Sequence, residues 1–402
     1  MEQKAYPRYS LLIIVSGALI LLGHLFIIQR EPGARSGSYQ NMSSDALQYT
    51  CMVEGDFTCA KTPFRYRIMV PAIAKLLPLS APESLRLISY ASLGATYLSV
   101  LLIGLRIGLN FWGLLVGLLL IYTSNVHVTN YNNPFLLDAF QQLMLTWMLW
   151  GLLFDSFPLY VIAAIFGVLC REVPVVMAGT WAVLRSWRRG FFSWMLVAVI
   201  FVLPRLIMPG AGTQALLESF MRPLAWTLES RSPLMIPIDV FWAWGFIWFP
   251  ALMGWWLLPR ESFSMFTGWL IFSLLTLIAV MFFAEDTSRE VAILTPLFVI
   301  TVGQLCSTLL RTGHRRWVWL LAALSMTQIF VALPNVVLNE TIWDTVRWGK
   351  AILLVVGTVY SAGVLYILRW EFKTSVRERM TILTRFLRLR FHWQVVLPLH
   401  EE

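Results

Sequence analysis

Residues 157–185 read FPLYVIAAIFGVLCREVPVVMAGTWAVLR, an apolar stretch that Arg171, Glu172 and Pro174 interrupt near its middle. A helix that spans a membrane needs about 20 apolar residues, so this stretch is too long for one ordinary span. Two short helical segments that meet at a polar turn fit it better than one long helix with an ion pair inside. A single tilted, kinked helix is the alternative, and the choice sets the number of spans in the chain.

The chain as a whole has the composition of a membrane protein. Of its 402 residues, 58% are hydrophobic and 13% are charged, and the mean hydropathy is +0.69. These values exclude a soluble domain of this length. The sequence therefore predicts an all-α polytopic membrane protein with about 12 transmembrane helices, or 11 if residues 157–185 form one span. The predicted spans are residues 10–29, 85–105, 109–124, 136–154, 157–170, 171–185, 190–208, 238–258, 264–284, 289–310, 316–335 and 350–370.

The positions of Lys and Arg predict the orientation, because short loops rich in them stay cytoplasmic. With twelve spans, the basic positions fall on one side of the membrane, and both termini are then cytoplasmic. These positions are Lys4, Arg8, Arg106, Arg185, Arg188, Arg189, Arg260, Arg311, Arg315, Arg316 and the tail from Arg369. We divide the chain into a transmembrane domain, residues 1–370, and a basic amphipathic tail, residues 371–402. The net charge of +9 then reflects contact with membrane lipids, and no nucleic-acid partner is needed.

The first extracytoplasmic loop, residues 30–84, contains the first candidate for catalysis. Asp45 is ionised at neutral pH and could act as a general base toward an acceptor hydroxyl. The alternative is an exposed loop acid or a helix N-cap, since Ser43-Ser44-Asp45 is also a helix-start signal. Tyr49 would lie one turn along on the same face if the segment is helical.

The same loop contains Cys51 and Cys59. In an oxidising periplasm this pair could form a disulfide that stiffens the segment after Asp45, and two free thiols are the alternative. Cys170 and Cys306 lie in apolar stretches and are interpreted as small packing residues.

Arg65 and Arg67 precede a short apolar stretch that contains Pro71 and Pro78. About ten residues are too few to span a membrane, so we expect an amphipathic helix in the outer interface. Arginine matches phosphate oxygens in a bidentate manner, which favours a lipid phosphate or diphosphate as ligand. Interfacial anchoring by snorkelling is the alternative.

No phosphate-binding glycine loop, zinc-binding His pair or nucleophile elbow occurs in the chain. Several short patterns instead resemble those of bacterial membrane proteins of the GT-C superfamily of glycosyltransferases. The resemblance lies in the order of the patterns and in their shared position on the predicted outer face. The patterns are Asp45 with Tyr49, Pro63-Phe64-Arg65-Tyr66-Arg67-Ile68-x-x-Pro71, Asn133-Pro134-Phe135 with Asp138, Arg171-Glu172, and Glu285 to Arg289 ahead of Leu294-Thr295-Pro296.

The resemblance implies that Asp45 deprotonates the acceptor, and that the donor is a sugar on a polyprenyl phosphate or diphosphate. It also implies a lipid-linked, glycan or protein acceptor and a periplasmic active face on a bacterial inner membrane. The implied substrate-binding residues are Tyr49, Arg65, Arg67, Asn133, Asp138, Arg171, Glu172, Glu285 and Arg289. We expect the chain to depart from the family pattern in two ways: Asp45 has no adjacent acidic partner, and no large soluble C-terminal domain is expected.

Two points remain open at the level of sequence. A divalent cation could bind through Asp45, Glu54 or Asp56 together with Asp138, although no ligand spacing demands one. A transporter or flippase for a lipid-linked or anionic substrate would also use arginines, acids and proline-broken helices. Such a transporter should have related halves and polar residues near the bilayer midplane, whereas the polar residues here collect on one face.

Overall fold

The computed structural model describes residues 44–61, 64–124, 127, 134–207, 244–281, 291–332 and 343–391. Within these ranges the chain forms helices joined by turns, and no strand is present. The α-helices are α1 Ser44–Glu54, α2 Met69–Lys75, α3 Ala81–Arg106, α4 Phe111–Tyr122, α5 Asp138–Leu153, α6 Phe157–Val168, α7 Val173–Met177, α8 Thr180–Leu184, α9 Trp187–Ile207, α10 Trp248–Trp256, α11 Arg260–Met281, α12 Thr295–Arg311, α13 Arg315–Ala332, α14 Trp343–Ile367 and α15 Arg369–Phe391. Short 3₁₀ turns cover Phe64–Tyr66, Gly245–Ile247 and Val291–Leu294.

Four of the described helices are long and apolar enough to cross a membrane. They cover Ala81–Arg106, Trp187–Ile207, Arg260–Val280 and Val291–Arg311. Shorter apolar helices occur at Phe111–Tyr122, Phe157–Val168, Val173–Leu184 and Leu354–Ile367. The fold is therefore all-helical and has the features of a helical membrane protein. The count of twelve spans stays a prediction, and the first predicted span, residues 10–29, lies outside the described residues.

Residues 157–185 form a helical hairpin. Helix α6 ends at Val168, and α7 begins at Val173 after a short turn. The Tyr160 hydroxyl donates a hydrogen bond of 2.7 Å to the Met177 carbonyl, and a Cβ on Gly167 would lie 2.8 Å from the Pro174 ring. These pairings are antiparallel, so the chain reverses direction at Arg171 and Glu172 and does not continue as one kinked helix.

The apolar stretch after Arg67 forms the short helix α2, within which Val70 and Ala74 are buried. It packs between α1 and α3, and the Met69 N–H donates to the Leu169 carbonyl at 3.1 Å. A helix is therefore present where the sequence predicts an interfacial one. One of its faces is covered by protein, and its start is fixed to the turn of the hairpin.

Glycines allow helices α4 and α12 to approach backbone to backbone. Cβ atoms added at Gly113 and Gly117 would lie 2.8 Å from the Gly303 carbonyl oxygen and 2.6 Å from the Val299 carbonyl oxygen. Small residues four positions apart are typical of close helix contacts in membranes. The start of α4 is also tied to α12, because the Asn110 N–H donates to Ser307 Oγ at 2.9 Å.

Basic residues collect where several helices end. The Arg106 guanidinium lies 4.0 Å from the centre of the Phe154 ring, and Arg185 donates to the carbonyls of Leu152 and Leu153. Arg379 of α15 donates to the Leu258 carbonyl, so the predicted amphipathic tail helix packs in part against protein. We call this region the basic end of the helical bundle.

We expect the replacement of Gly117 by Leu to force α4 away from α12, because the added side chain meets backbone atoms that have no room to move. Overpacking of this kind lowers the free energy of unfolding by about 1–3 kcal/mol. Thermal unfolding of the purified protein in detergent, followed by tryptophan fluorescence, measures the change. Ala323→Leu, on an exposed position of α13, is the matched control, and equal melting temperatures for both variants would contradict the packing described.

Candidate functional site

Helix α1 carries Asp45 in its first turn and Tyr49 one turn later. Tyr49 is buried, with 2% of its surface exposed, and its ring packs edge-on against Phe64 at 5.8 Å between centroids. The Tyr49 hydroxyl accepts a hydrogen bond of 3.1 Å from Arg67 Nη1. Asp45 is half-buried, and residues four apart on a helix have Cβ atoms about 6 Å apart. The candidate base therefore lies beside a phenol that an arginine already contacts.

A disulfide joins Cys51, in the last turn of α1, to Cys59 beyond the end of that helix. Arg65 braces this closed loop, because its Nε donates to the Ala60 carbonyl at 2.9 Å and its Nη2 to the Thr58 carbonyl at 3.1 Å. The two arginines of the Phe64-to-Arg67 segment thus take different directions. Arg65 lies with the disulfide loop, while Arg67 lies with Tyr49.

Arg67 also forms an ion pair with Glu172 from the turn of the hairpin, at 3.1 Å between Nη2 and Oε2. The other oxygen of Glu172 pairs with Arg205 of α9 at 3.2 Å. The side chains of Arg67 and Arg205 are 12% and 7% exposed, whereas that of Glu172 is 30% exposed. One carboxylate therefore holds two guanidiniums together and forms the most open part of the group.

Arg205 was missed by the sequence analysis. Its guanidinium lies between two aromatic rings, 3.6 Å from the Phe201 centroid and 4.8 Å from the Tyr66 centroid, within the usual range of cation–π contacts. The signal in the sequence is an arginine within the apolar part of α9, directly after Pro204 and far from Arg188 and Arg189 at the start of the helix. Ionisable residues in such helices are costly and mark functional sites by default.

A second ion pair joins Arg171 of the hairpin turn to Asp138, the first residue of α5. Both side chains are largely buried, at 10% and 5% exposed. Gln142 lies one turn beyond Asp138 and is 2% exposed, and its amide has no hydrogen-bond partner among the described residues. Buried amides are nearly always hydrogen-bonded to protein, water or a ligand, so Gln142 is a further candidate for contact with a polar ligand.

We call Arg67, Arg171, Arg205, Asp138 and Glu172 the arginine cluster. Three guanidiniums face two carboxylates, so the cluster has an excess of one positive charge. Both carboxylate oxygens of Glu172 lie within ion-pair distance of a guanidinium, Arg67 at 3.1 Å and Arg205 at 3.2 Å, and such neighbours favour the charged carboxylate. Glu172 is therefore ionised at neutral pH.

Tyr49 remains a neutral phenol beside this cluster. Burial raises the pKa of Tyr49 to about 12, although the positive charges of Arg67 and Arg171 oppose the shift. At neutral pH the Tyr49 hydroxyl keeps its proton. It can donate this proton to an oxygen of a ligand while its own oxygen accepts the hydrogen bond from Arg67.

Three residues implied by the resemblance, Asn133, Glu285 and Arg289, lie outside the described residues. The structure brings together Tyr49, Arg67, Asp138, Arg171 and Glu172 of the remaining set.

The acids considered for a divalent cation do not form a matching ligand set. Asp56 accepts hydrogen bonds from the Thr58 N–H at 2.8 Å and from the Thr58 hydroxyl at 2.6 Å, and Asp138 pairs with Arg171. In the part of the chain that the structure describes, no three His, Cys, Asp or Glu side chains are grouped as a metal site would require. The acids among the described residues thus do not form a site that fits a divalent cation.

No protein-family model, curated protein or solved structure matches this chain. The chemistry of the site is therefore judged from its own groups. Guanidiniums offer several N–H donors in a planar arrangement that suits phosphate and carboxylate oxygens. The arrangement is a candidate anion site next to α1, whose first turn carries Asp45.

We expect Asp138→Asn to destabilise the protein, because it leaves the buried Arg171 guanidinium without its charged partner. Breaking a buried ion pair in this way costs about 3–5 kcal/mol. Chemical unfolding in detergent, monitored by tryptophan fluorescence, measures the loss. Asp56→Asn, at an exposed position, should change stability by less than about 0.5 kcal/mol.

A double replacement provides the second control for this pair. Asp138→Leu combined with Arg171→Met removes both charges, and apolar replacement of a whole buried pair is often close to neutral. The double variant should therefore be more stable than Asp138→Asn. If Asp138→Asn instead unfolds at the wild-type denaturant concentration, the pair has no structural role.

Proposed function

We propose that this protein is a membrane glycosyltransferase that moves a sugar from a polyprenyl-phosphate or diphosphate donor to an acceptor hydroxyl. The observation that carries the proposal is the gathering of Arg67, Arg171 and Arg205 from three separate parts of the chain next to the helix of Asp45. The resemblance of the surrounding motifs to GT-C glycosyltransferases supports the same function.

The proposal includes a location. The reaction takes place at the periplasmic face of a bacterial inner membrane, with twelve spans and both termini in the cytoplasm. The many arginines at the basic end, away from the arginine cluster, support this topology, since Lys and Arg close to the ends of spans favour the cytoplasmic side. The acceptor is a lipid-linked molecule, a glycan or a protein.

In the proposed reaction, the Asp45 carboxylate accepts the proton of the acceptor hydroxyl as its oxygen attacks the anomeric carbon of the donor sugar. The bond between that carbon and the phosphate oxygen breaks, and the electron pair leaves with the polyprenyl phosphate. Negative charge therefore develops on the phosphate. Fixed guanidiniums at that position stabilise the transition state more than the ground state.

The carboxylate of Glu172 occupies the position that the donor phosphate takes at the guanidiniums of Arg67 and Arg205. It occupies donors of Arg67 and Arg205, and it is the most exposed member of the group. A donor phosphate that enters beside Glu172 competes for these same N–H groups. The Tyr49 hydroxyl, held by Arg67, is placed to contact an oxygen of the sugar or phosphate.

We expect Asp45→Asn to lower kcat by about 10²–10⁴-fold, because the amide no longer accepts the proton of the acceptor. The assay uses purified protein, a polyprenyl-linked sugar donor and a panel of hydroxyl acceptors, with product detected by mass spectrometry. Asp56→Asn is the matched control in the same loop, since that acid is exposed and engages Thr58.

The same assay separates the enzyme from a transporter. Wild-type turnover in Asp45→Asn would remove Asp45 as the base. Movement of the lipid-linked sugar across proteoliposome membranes, without glycosyl transfer to any acceptor, would favour a flippase.

We expect Arg205→Gln to raise the KM for the donor about 10–100-fold, because a hydrogen bond to a charged group contributes about 1.5–3 kcal/mol. Arg205→Lys should recover part of the loss, since it restores the charge without the planar pair of donors. Arg189→Gln, an exposed position at the other end of the same helix, is the control. An unchanged donor KM in Arg205→Gln would remove this residue from the phosphate site.

A further inference from the structure

A large groove lies at the basic end of the bundle, away from the arginine cluster. It has a volume of about 1330 Å³ and runs between helices α4 and α13. Its position follows from the packing of α4 on α12, which brings the start of α4 beside the end of α12 through Asn110 and Ser307. The groove shares no lining residue with the arginine cluster.

The mouth of the groove is basic. Arg106, Arg311 and Arg315 line it, together with the polar side chains of Asn110 and Ser307. No acidic residue is among the lining residues, and the three arginines are exposed. In contrast to the arginine cluster, the groove itself supplies no carboxylate to balance these charges.

The wall of the groove is apolar. Leu115 and Leu119 of α4 and Ala322 of α13 line it. Two tryptophans that also line the groove, Trp112 and Trp319, are 61% and 68% exposed. Exposed tryptophans near helix ends are typical of the level at which lipid headgroups lie.

We propose that this groove binds one anionic glycerophospholipid, with its phosphate at the arginines and an acyl chain along the apolar wall. Charge complementarity at the mouth selects an anionic headgroup, and the wall requires an apolar chain. Residues 10–29, which lie outside the described part of the chain, are the competing occupant. Lys4 and Arg8 precede that segment, so its entry would bring like charges to a basic mouth.

The test compares lipid binding to the purified full-length protein by native mass spectrometry after removal of co-purified lipid. Phosphatidylglycerol and phosphatidylcholine with identical acyl chains are the two probes. We expect the wild type to prefer phosphatidylglycerol. Combining Arg311→Gln with Arg315→Gln should weaken phosphatidylglycerol binding roughly 30-fold, since each basic residue near anionic lipid contributes about 1 kcal/mol. The combination of Arg188→Gln and Arg189→Gln is the matched control, with two exposed arginines removed outside the groove.

A third variant, Ala322→Trp, fills the apolar wall without a change of charge and should weaken binding of phosphatidylglycerol. Equal losses in the two arginine double variants would show diffuse attraction to the whole basic surface and overturn the proposal. Inorganic phosphate that displaces the lipid, combined with wild-type binding by Ala322→Trp, would point to a free-phosphate site and overturn it as well. A disulfide between Ile20→Cys and Ala322→Cys would show that the chain itself fills the groove, which leaves no room for the lipid.

Discussion

A charged side chain that is removed from water must be paired, and this requirement organises one end of the molecule. Arg171 and Glu172 lie in the turn of a hairpin whose arms are apolar. Arg171 takes its partner from α5, and Glu172 takes its partners from the first loop and from α9. The cost of an unpaired buried charge thus joins four segments that are far apart in the sequence. The short helix α2 follows, because it begins at the same turn.

The lengths of the apolar segments and the break between Arg171 and Pro174 could be predicted from the sequence. Both depend only on neighbouring residues: the length that a span needs, and the cost of a charge inside one. Asp138, Arg171, Glu172 and Arg67 were candidates through the resemblance to GT-C glycosyltransferases. Their pairing could not be predicted, since it depends on which helices are neighbours. Gly113 and Gly117 carry a recognised spacing, but only the structure identifies Gly303 as their counterpart.

Arg65 and Arg67 contact different parts of the structure, and the sequence did not predict this difference. Both arginines precede the same apolar stretch and have the same chemistry. The 3₁₀ turn at Phe64–Tyr66 directs Arg65 to the disulfide loop and leaves Arg67 at the cluster. Aromatic side chains separate them: Phe64 packs on Tyr49 and Arg67, while Tyr66 packs on Arg205. The alternation of aromatic and basic residues therefore places one guanidinium at the disulfide loop and the other at the arginine cluster.

The ion pairs of Glu172 also impose an order on biogenesis. Arg67 precedes Glu172 by 105 residues, and Arg205 follows Glu172 by 33. At a synthesis rate of about 5–20 residues per second, the first partner waits roughly 5–20 s for the carboxylate to emerge from the ribosome. The disulfide between Cys51 and Cys59 involves neighbours only 8 positions apart, and it needs none of the later chain. The disulfide of the first loop can thus form early, whereas the ion pair of Arg67 with Glu172 can form only after the turn between the sixth and seventh described helices has been made.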